Sequence, residues 1–202
     1  LSGLVGSEMC IRDRQGDVPI VKVEVQAAKA CPLYTAQLFE GFNPKNTYSN
    51  IFSERLKVLG TERFRSGPVD LANYVLFEMG HPMHTFDADE IVGSKIIVRY
   101  AKAGEKITTI DNVERVLSPE DLIIADIEKP IALAGVMGSK ESGVTEKTTR
   151  VVLESAYFDP EAVRATAKRH KISSDASHRF ERGVNPWGVY EAAGRLSFLF
   201  RN

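Results

Sequence analysis

The sequence predicts an α+β single domain, built around a mixed, largely antiparallel β-sheet with flanking helices. Three observations lead there. Between Lys95 and Val136, five short apolar runs follow one another at intervals too brief for crossover helices. Ahead of them, Val69, Ala72, Leu76 and Met79 recur at helical spacing. Behind them, from Asp159 onward, the pattern turns helical again. With 202 residues, 43% of them hydrophobic and 26% charged, the chain is long enough to bury one substantial core.

In chain order, residues 1–14 carry neither a helical nor a strand period. They lack the basic start, apolar centre and small-residue cleavage site of a signal peptide. The run from Val5 to Arg14 looks like translated sequencing-adapter read-through. A non-native leader is therefore expected over 1–14, with the domain proper over 15–202. Ile20 to Val25 alternates apolar and polar residues and reads as a half-buried strand, and Leu33 to Phe39 reads as a second. Thr47 to Leu59 is a helix candidate stopped by Gly60. The helix from Val69 follows Pro68, which suits a first helical position because no amide donor is needed there. Gly80 is its expected C′ residue and Pro82 blocks continuation. His81, His84 and Asp87 then fall in what reads as a polar turn.

The five central runs are Lys95 to Arg99, Lys106 to Thr109, Val113 to Leu117, Leu122 to Ala125 and Ile131 to Val136. Their separators, such as Ala103-Gly104-Glu105 and Ser118-Pro119-Glu120-Asp121, are turn chemistry. Thr149 to Ser155 is one more strand, interrupted by Glu154. Asp159-Pro160 supplies an N-cap and a first-position proline for a helix reaching about His170. Asp175 to Gly183 is a polar segment ended by glycine. Pro186 to Phe200 forms a last helix whose Leu199 and Phe200 leave apolar surface near its end.

Composition narrows the function. A net charge of −1 argues against a surface that is basic throughout, although Lys168-Arg169-His170-Lys171 is a small basic run able to meet phosphate. No apolar run approaches a membrane span, so no membrane partner is expected. Two cysteines, Cys10 and Cys31, make neither a disulfide framework nor a metal knuckle, and the setting reads as reduced and cytoplasmic. Gly135-Val-Met-Gly138 suggests a phosphate cradle, but it lacks the other glycines and the Lys-Ser/Thr of a P-loop. A tight turn accounts for it better. The four histidines lack helical metal-ligand spacing, and no metal is expected. Glu154 reads from the residues alone as the solvated side of an edge strand. Pointing inward, it would need a partner or a proton.

Taken together, several stretches resemble the central editing module of bacterial phenylalanyl-tRNA synthetase β subunits. They are Ala30-Cys-Pro-Leu-Tyr-Thr35, Val69-Asp with Asn73-Tyr-Val75, Gly80-His-Pro-Met-His-Thr-Phe-Asp87, Asp121-Leu-Ile-Ile-Ala-Asp126, Ala132-Leu-Ala-Gly-Val-Met-Gly138, Leu153-Glu-Ser-Ala-Tyr-Phe158 and Asp175-Ala-Ser-His-Arg-Phe-Glu-Arg-Gly-Val184. They occur in the family's order and span nearly everything from about residue 20 to 190.

The resemblance implies a three-layer fold and post-transfer editing, the hydrolysis of the ester in tRNA(Phe) wrongly charged with tyrosine. It implies a pocket lined by Asn73 and His84, which would orient water and the ester end, by Gly135, where backbone approaches closely, and by Ala156, which keeps the floor small. Glu154 would receive the tyrosine hydroxyl, which replaces the edge-strand reading. No cofactor is implied for this module, since ATP and magnesium serve the synthetic part of the family's enzyme. The implied partners are tRNA(Phe) carrying tyrosine, the other domains of the β subunit and the α subunit. The sequence departs from the family at Ala72, commonly threonine, at Ser66-Gly67-Pro68, at Gly138-Ser139, usually two glycines, and at Asn185-Pro186, usually aspartate first. Two other readings are an architectural module that contacts tRNA without catalysis, favoured by Ala72, and a free-standing hydrolase that edits in trans.

Overall fold

The structure, a computed structural model, describes residues 21–41, 50–58 and 67–201. The expected leader, Cys10, Ile20 and parts of the Thr47 to Leu59 candidate lie outside the described residues. Ten strands and five α-helices are described. Strands β1 (Lys22–Val25) and β2 (Leu33–Glu40) precede helices α1 (Asn50–Val58) and α2 (Gly67–Met79). Then come β3 (Met83–Asp87), β4 (Lys95–Tyr100), β5 (Lys106–Thr108), β6 (Glu114–Val116), β7 (Leu122–Ala125), β8 (Pro130–Leu133) and β9 (Met137–Gly138). The chain continues through β10 (Arg150–Tyr157), α3 (Pro160–His170), α4 (Asp175–Phe180) and α5 (Gly188–Arg201).

The expected strands divide among three sheets. A mixed sheet runs β1-β4-β7-β8-β9, with β1 parallel to β4 and every other pair antiparallel. A second sheet, β2-β10-β3, is antiparallel throughout, and β5-β6 is a separate hairpin. The α+β class and the three layers hold. Helices α2 and α5 cover one face of β2-β10-β3, where Val151 and Leu153 pack with Leu71, Val75 and Leu196. The other face, carrying Val152, Ala156 and Phe86, shares a core with Ile96, Val98 and Ile124 of the mixed sheet.

Local chemistry explains most boundaries. Gly80 takes φ +72° and its amide closes on the Leu76 carbonyl at 2.8 Å, which ends α2 in a left-handed turn. Asp159 Oδ1 accepts the amides of Glu161 and Ala162 to cap α3, with Pro160 in its first turn. Two readings change. The segment after Pro82 is a strand, because β10 pairs Val151 to Ser155 with Asp87 to Met83 and so satisfies a backbone that looked like a turn. Leu199 and Phe200 at the end of α5 are not left as apolar surface: Leu199 is buried, and the Phe200 ring lies 5.1 Å from that of Phe39 on β2.

Candidate functional site

Glu154 stands on the central strand of β2-β10-β3, paired with Ala36 on one side and His84 on the other. An edge-strand carboxylate would face water, but this one is 5% exposed. Paired residues of an antiparallel ladder share a face, so the Glu154 carboxyl and His84 imidazole emerge side by side. Tyr34 pairs with Ala156, one diagonal step away, and its hydroxyl donates to Glu154 Oε2 at 2.8 Å.

The Glu154 and His84 side chains border a cavity of about 60 Å³ between the two larger sheets, large enough for about four waters. His84 and Glu154 form one side, and the turn from Leu133 to Gly138 forms another. Ala176 and Phe180 of α4 complete the lining. Helix α4 is anchored there by a reciprocal cap between Ser174 and Ser177, while Ser174 Oγ donates to the Val136 carbonyl at 2.8 Å.

Burial sets the electrostatics. It raises the Glu154 carboxyl to about 8, with the Tyr34 hydrogen bond pulling the other way. It lowers His84 to about 4. At neutral pH the pair is therefore a largely protonated carboxyl beside a neutral imidazole, not an ion pair. His84 Nε2 is shut from solvent with no hydrogen-bond partner among the described residues, and its ring meets Phe86 edge-on at 4.5 Å. A neutral imidazole nitrogen can hold a water, and a carboxyl can exchange hydrogen bonds with a hydroxyl.

The two glycines of the turn have different causes. Gly135 has φ +68°, and a Cβ there would come within 3.0 Å of Phe158, Val163 and Phe180. Only a residue without a side chain leaves room there for these three packed groups, and Gly135 itself lines the cavity. At Gly138 a Cβ would lie 2.7 Å from His84 Cε1 and Nε2, so the missing side chain is what admits the imidazole.

His84, Glu154 and Gly135 thus meet at one cavity. Asn73 does not line it; it is half-buried on α2, one turn before Phe77, whose ring lies 5.4 Å from the Arg179 guanidinium of α4. Ala156 is buried two residues beyond Glu154 and outside the lining, where the alanines are Ala132 and Ala176. Tyr34, Gly138, Ala176 and Phe180 are not among the residues the sequence assigns to the pocket. All four lie within matched stretches, so a signal was present, but only geometry distinguishes cavity wall from filler. Among the described residues, no three His, Cys, Asp or Glu side chains form a metal-ligand set, and no helix is long and apolar enough to cross a membrane.

Comparison with known proteins places this geometry in a family. The B3/4 domain matches residues 30–202. The phenylalanine–tRNA ligase β subunit of Anaeromyxobacter dehalogenans is 47% identical over 181 residues, covering 89% of this chain and 22% of that protein. That of Geobacter metallireducens is 45% identical over 191 residues, covering 92% and 23%. The chain thus spans between a fifth and a quarter of these relatives. Among solved structures, an N-terminal fragment of the phenylalanyl-tRNA synthetase β-subunit from Pyrococcus horikoshii superposes with a TM-score of 0.51 at 14% identity, over 80% of this chain and 52% of that one. That likeness concerns the fold alone.

Proposed function

The chain belongs to the B3/4 domain family of phenylalanine–tRNA ligase β subunits, and we propose that it edits, hydrolysing the ester of tRNA(Phe) mischarged with tyrosine. The observation that carries this reading is a buried carboxyl, Glu154, on the wall of a small cavity beside an unpartnered His84 nitrogen. A synthetic pocket shaped for phenylalanine rejects an analogue with one extra hydroxyl only weakly, roughly a hundredfold in comparable cases. A second site that hydrogen-bonds that hydroxyl rejects phenylalanine strongly, because its own polar group is then left unpaired.

In this reading Glu154 takes the tyrosine hydroxyl, and His84 positions a water against the ester carbonyl. The ester is intrinsically labile, so alignment supplies much of the rate. A neutral imidazole suits a water-orienting role. Asn73 acts from α2, outside the cavity, on the ester end, and Gly135 and Ala156 keep the surroundings small. The domain uses no cofactor of its own; ATP and magnesium serve the ligase reaction elsewhere in the enzyme. Its partners are tRNA(Phe), the rest of the β subunit and the α subunit, in the cytoplasm.

The test is deacylation of tyrosyl-tRNA(Phe) against phenylalanyl-tRNA(Phe) by this chain and its His84→Ala and Glu154→Ala forms. The expected result is preferential hydrolysis of the tyrosyl ester. Loss of hydrolysis is expected in the first variant, and loss of preference before loss of rate in the second. Absence of tyrosine preference both in the chain and in a complete synthetase carrying it would favour the architectural reading, for which Asn73 lying outside the cavity is the supporting observation.

A further inference from the structure

Glu154 has two carboxyl oxygens, and the chain has committed one of them. Oε2 accepts the Tyr34 hydroxyl, whereas Oε1 accepts no hydrogen bond from the described residues. His84 stands opposite in the ladder without bonding to the carboxyl. A glutamate side chain has three rotatable bonds, and holding it in one conformation costs rotamer freedom. Facing a cavity with no fixed partner, it would swing among rotamers. Tyr34 prevents that. It is fixed by its place on β2, diagonal to Glu154, and it packs, partly buried, against the core shared by the two larger sheets.

We propose that Tyr34 is a positioning residue for specificity: its phenol hydroxyl holds Glu154 Oε2 so that Oε1 is presented to the para-hydroxyl of a bound tyrosyl group. This rests on the editing reading above. The internal pair supplies its own precedent, since Tyr34 already brings a phenol oxygen to 2.8 Å from this carboxyl. The site would then hold two phenols on one carboxyl, one permanent and one from the substrate. A phenylalanyl ester would leave Oε1 without a partner. The groups facing Glu154 are Tyr34 from β2, His84 from β3 and the Cys31 thiol just before β2. The opposing wall, Ile124, Ala132 and Leu133, is apolar. No other charged group of the described residues competes for the carboxyl.

The experiment compares the unmodified chain with Tyr34→Phe, which deletes one oxygen and keeps the ring. Three quantities are measured: hydrolysis of tyrosyl- and phenylalanyl-tRNA(Phe), the carboxyl ¹³C titration of Glu154, and the thermal unfolding midpoint as a folding control. The expected result is a tyrosine-to-phenylalanine preference reduced about tenfold, the scale of one hydrogen bond, with phenylalanyl hydrolysis unchanged. The Glu154 titration midpoint should move upward, because the lost hydrogen bond favours the ionised carboxyl. A folded Tyr34→Phe with unaltered preference would overturn this inference and leave the editing reading standing. A chain without tyrosine preference in a complete synthetase would overturn both. A midpoint that does not rise would also overturn the inference, since the hydroxyl would then not be holding the carboxyl.

Discussion

Asp121 and Glu154 are both buried carboxyls, 0% and 5% exposed, yet their surroundings are opposite. Asp121 opens β7 and is saturated. It accepts the Ser118 amide at 2.9 Å, the His170 Nε2 at 2.7 Å and the Arg169 guanidinium, tying the end of α3 to the sheet. Burial alone would raise its pKa, but His170, the Ser118 amide and Arg169 outweigh burial and hold it below its ordinary value. Glu154 has one neutral partner and a cavity, and burial prevails. A buried acid whose acceptors are all filled is part of the frame. One with an unfilled oxygen facing a cavity is a place for a ligand.

The sharpest way to break this comparison is Asp121→Asn. The change keeps the shape while removing the charge that Arg169 and His170 face. Losing charge-assisted bonds at a fully buried position should cost about 3 kcal/mol, read as a lower urea midpoint. The tyrosine preference of the folded fraction should survive. An Asp121→Asn protein of full stability but lost preference would put Asp121 in the site and erase the distinction.

The two carboxyls also differ in how much the sequence disclosed. Asp121 sits in Ser118-Pro119-Glu120-Asp121, a turn readable from residue types alone, and its partners Arg169 and His170 lie in a basic run at a helix end. Glu154 was legible only as an interruption in a strand. Its meaning depends on two pairings, with residues near 36 and near 84, and no local window contains them. The same reason hid β3, because Met83 to Asp87 becomes a strand only where β10 offers a partner. Helix ends were accurate because their causes are local, as at Gly80 and at Asp159-Pro160. The resemblance carried what periodicity could not, the inward direction of Glu154. It did not separate Ala156 from Ala176, since two small residues in matched stretches look alike until a cavity is drawn between them.

A smaller effect sharpens the comparison at the other cavity residue. Gly138→Ala would put a methyl 2.7 Å from the His84 ring, and the imidazole must move. Overpacking of this kind costs about 2 kcal/mol. The loss should appear mainly in hydrolysis, about tenfold, because His84 is displaced from the water it orients. Equal loss of tyrosyl and phenylalanyl hydrolysis is expected, since the carboxyl is untouched. A change in preference instead would make the glycine, and not Glu154, the reader of the hydroxyl.

The smallest effect tests the electrostatic contrast directly. Glu154 is raised to about 8 in the folded chain from an ordinary 4.5, so the folded state holds a proton that the unfolded chain releases. Stability from this group is complete below pH 4.5 and declines as pH rises toward 8, by at most about 1.4 kcal/mol per unit. His81 and His84, both lowered to about 4 from 6.5, act in the opposite sense. Their contribution is present above pH 6.5 and lost as pH falls toward 4. Between about pH 7.5 and 8.5 the histidines have largely finished titrating in both states, and Glu154 acts almost alone among these three. Urea unfolding at half-unit steps across that window should show falling stability for the unmodified chain. Glu154→Gln, which cannot ionise, should remove that slope and be the more stable protein at pH 8. A slope that persists in Glu154→Gln would mean that Glu154 is ionised throughout, held like Asp121, and the two carboxyls would then differ in location but not in kind.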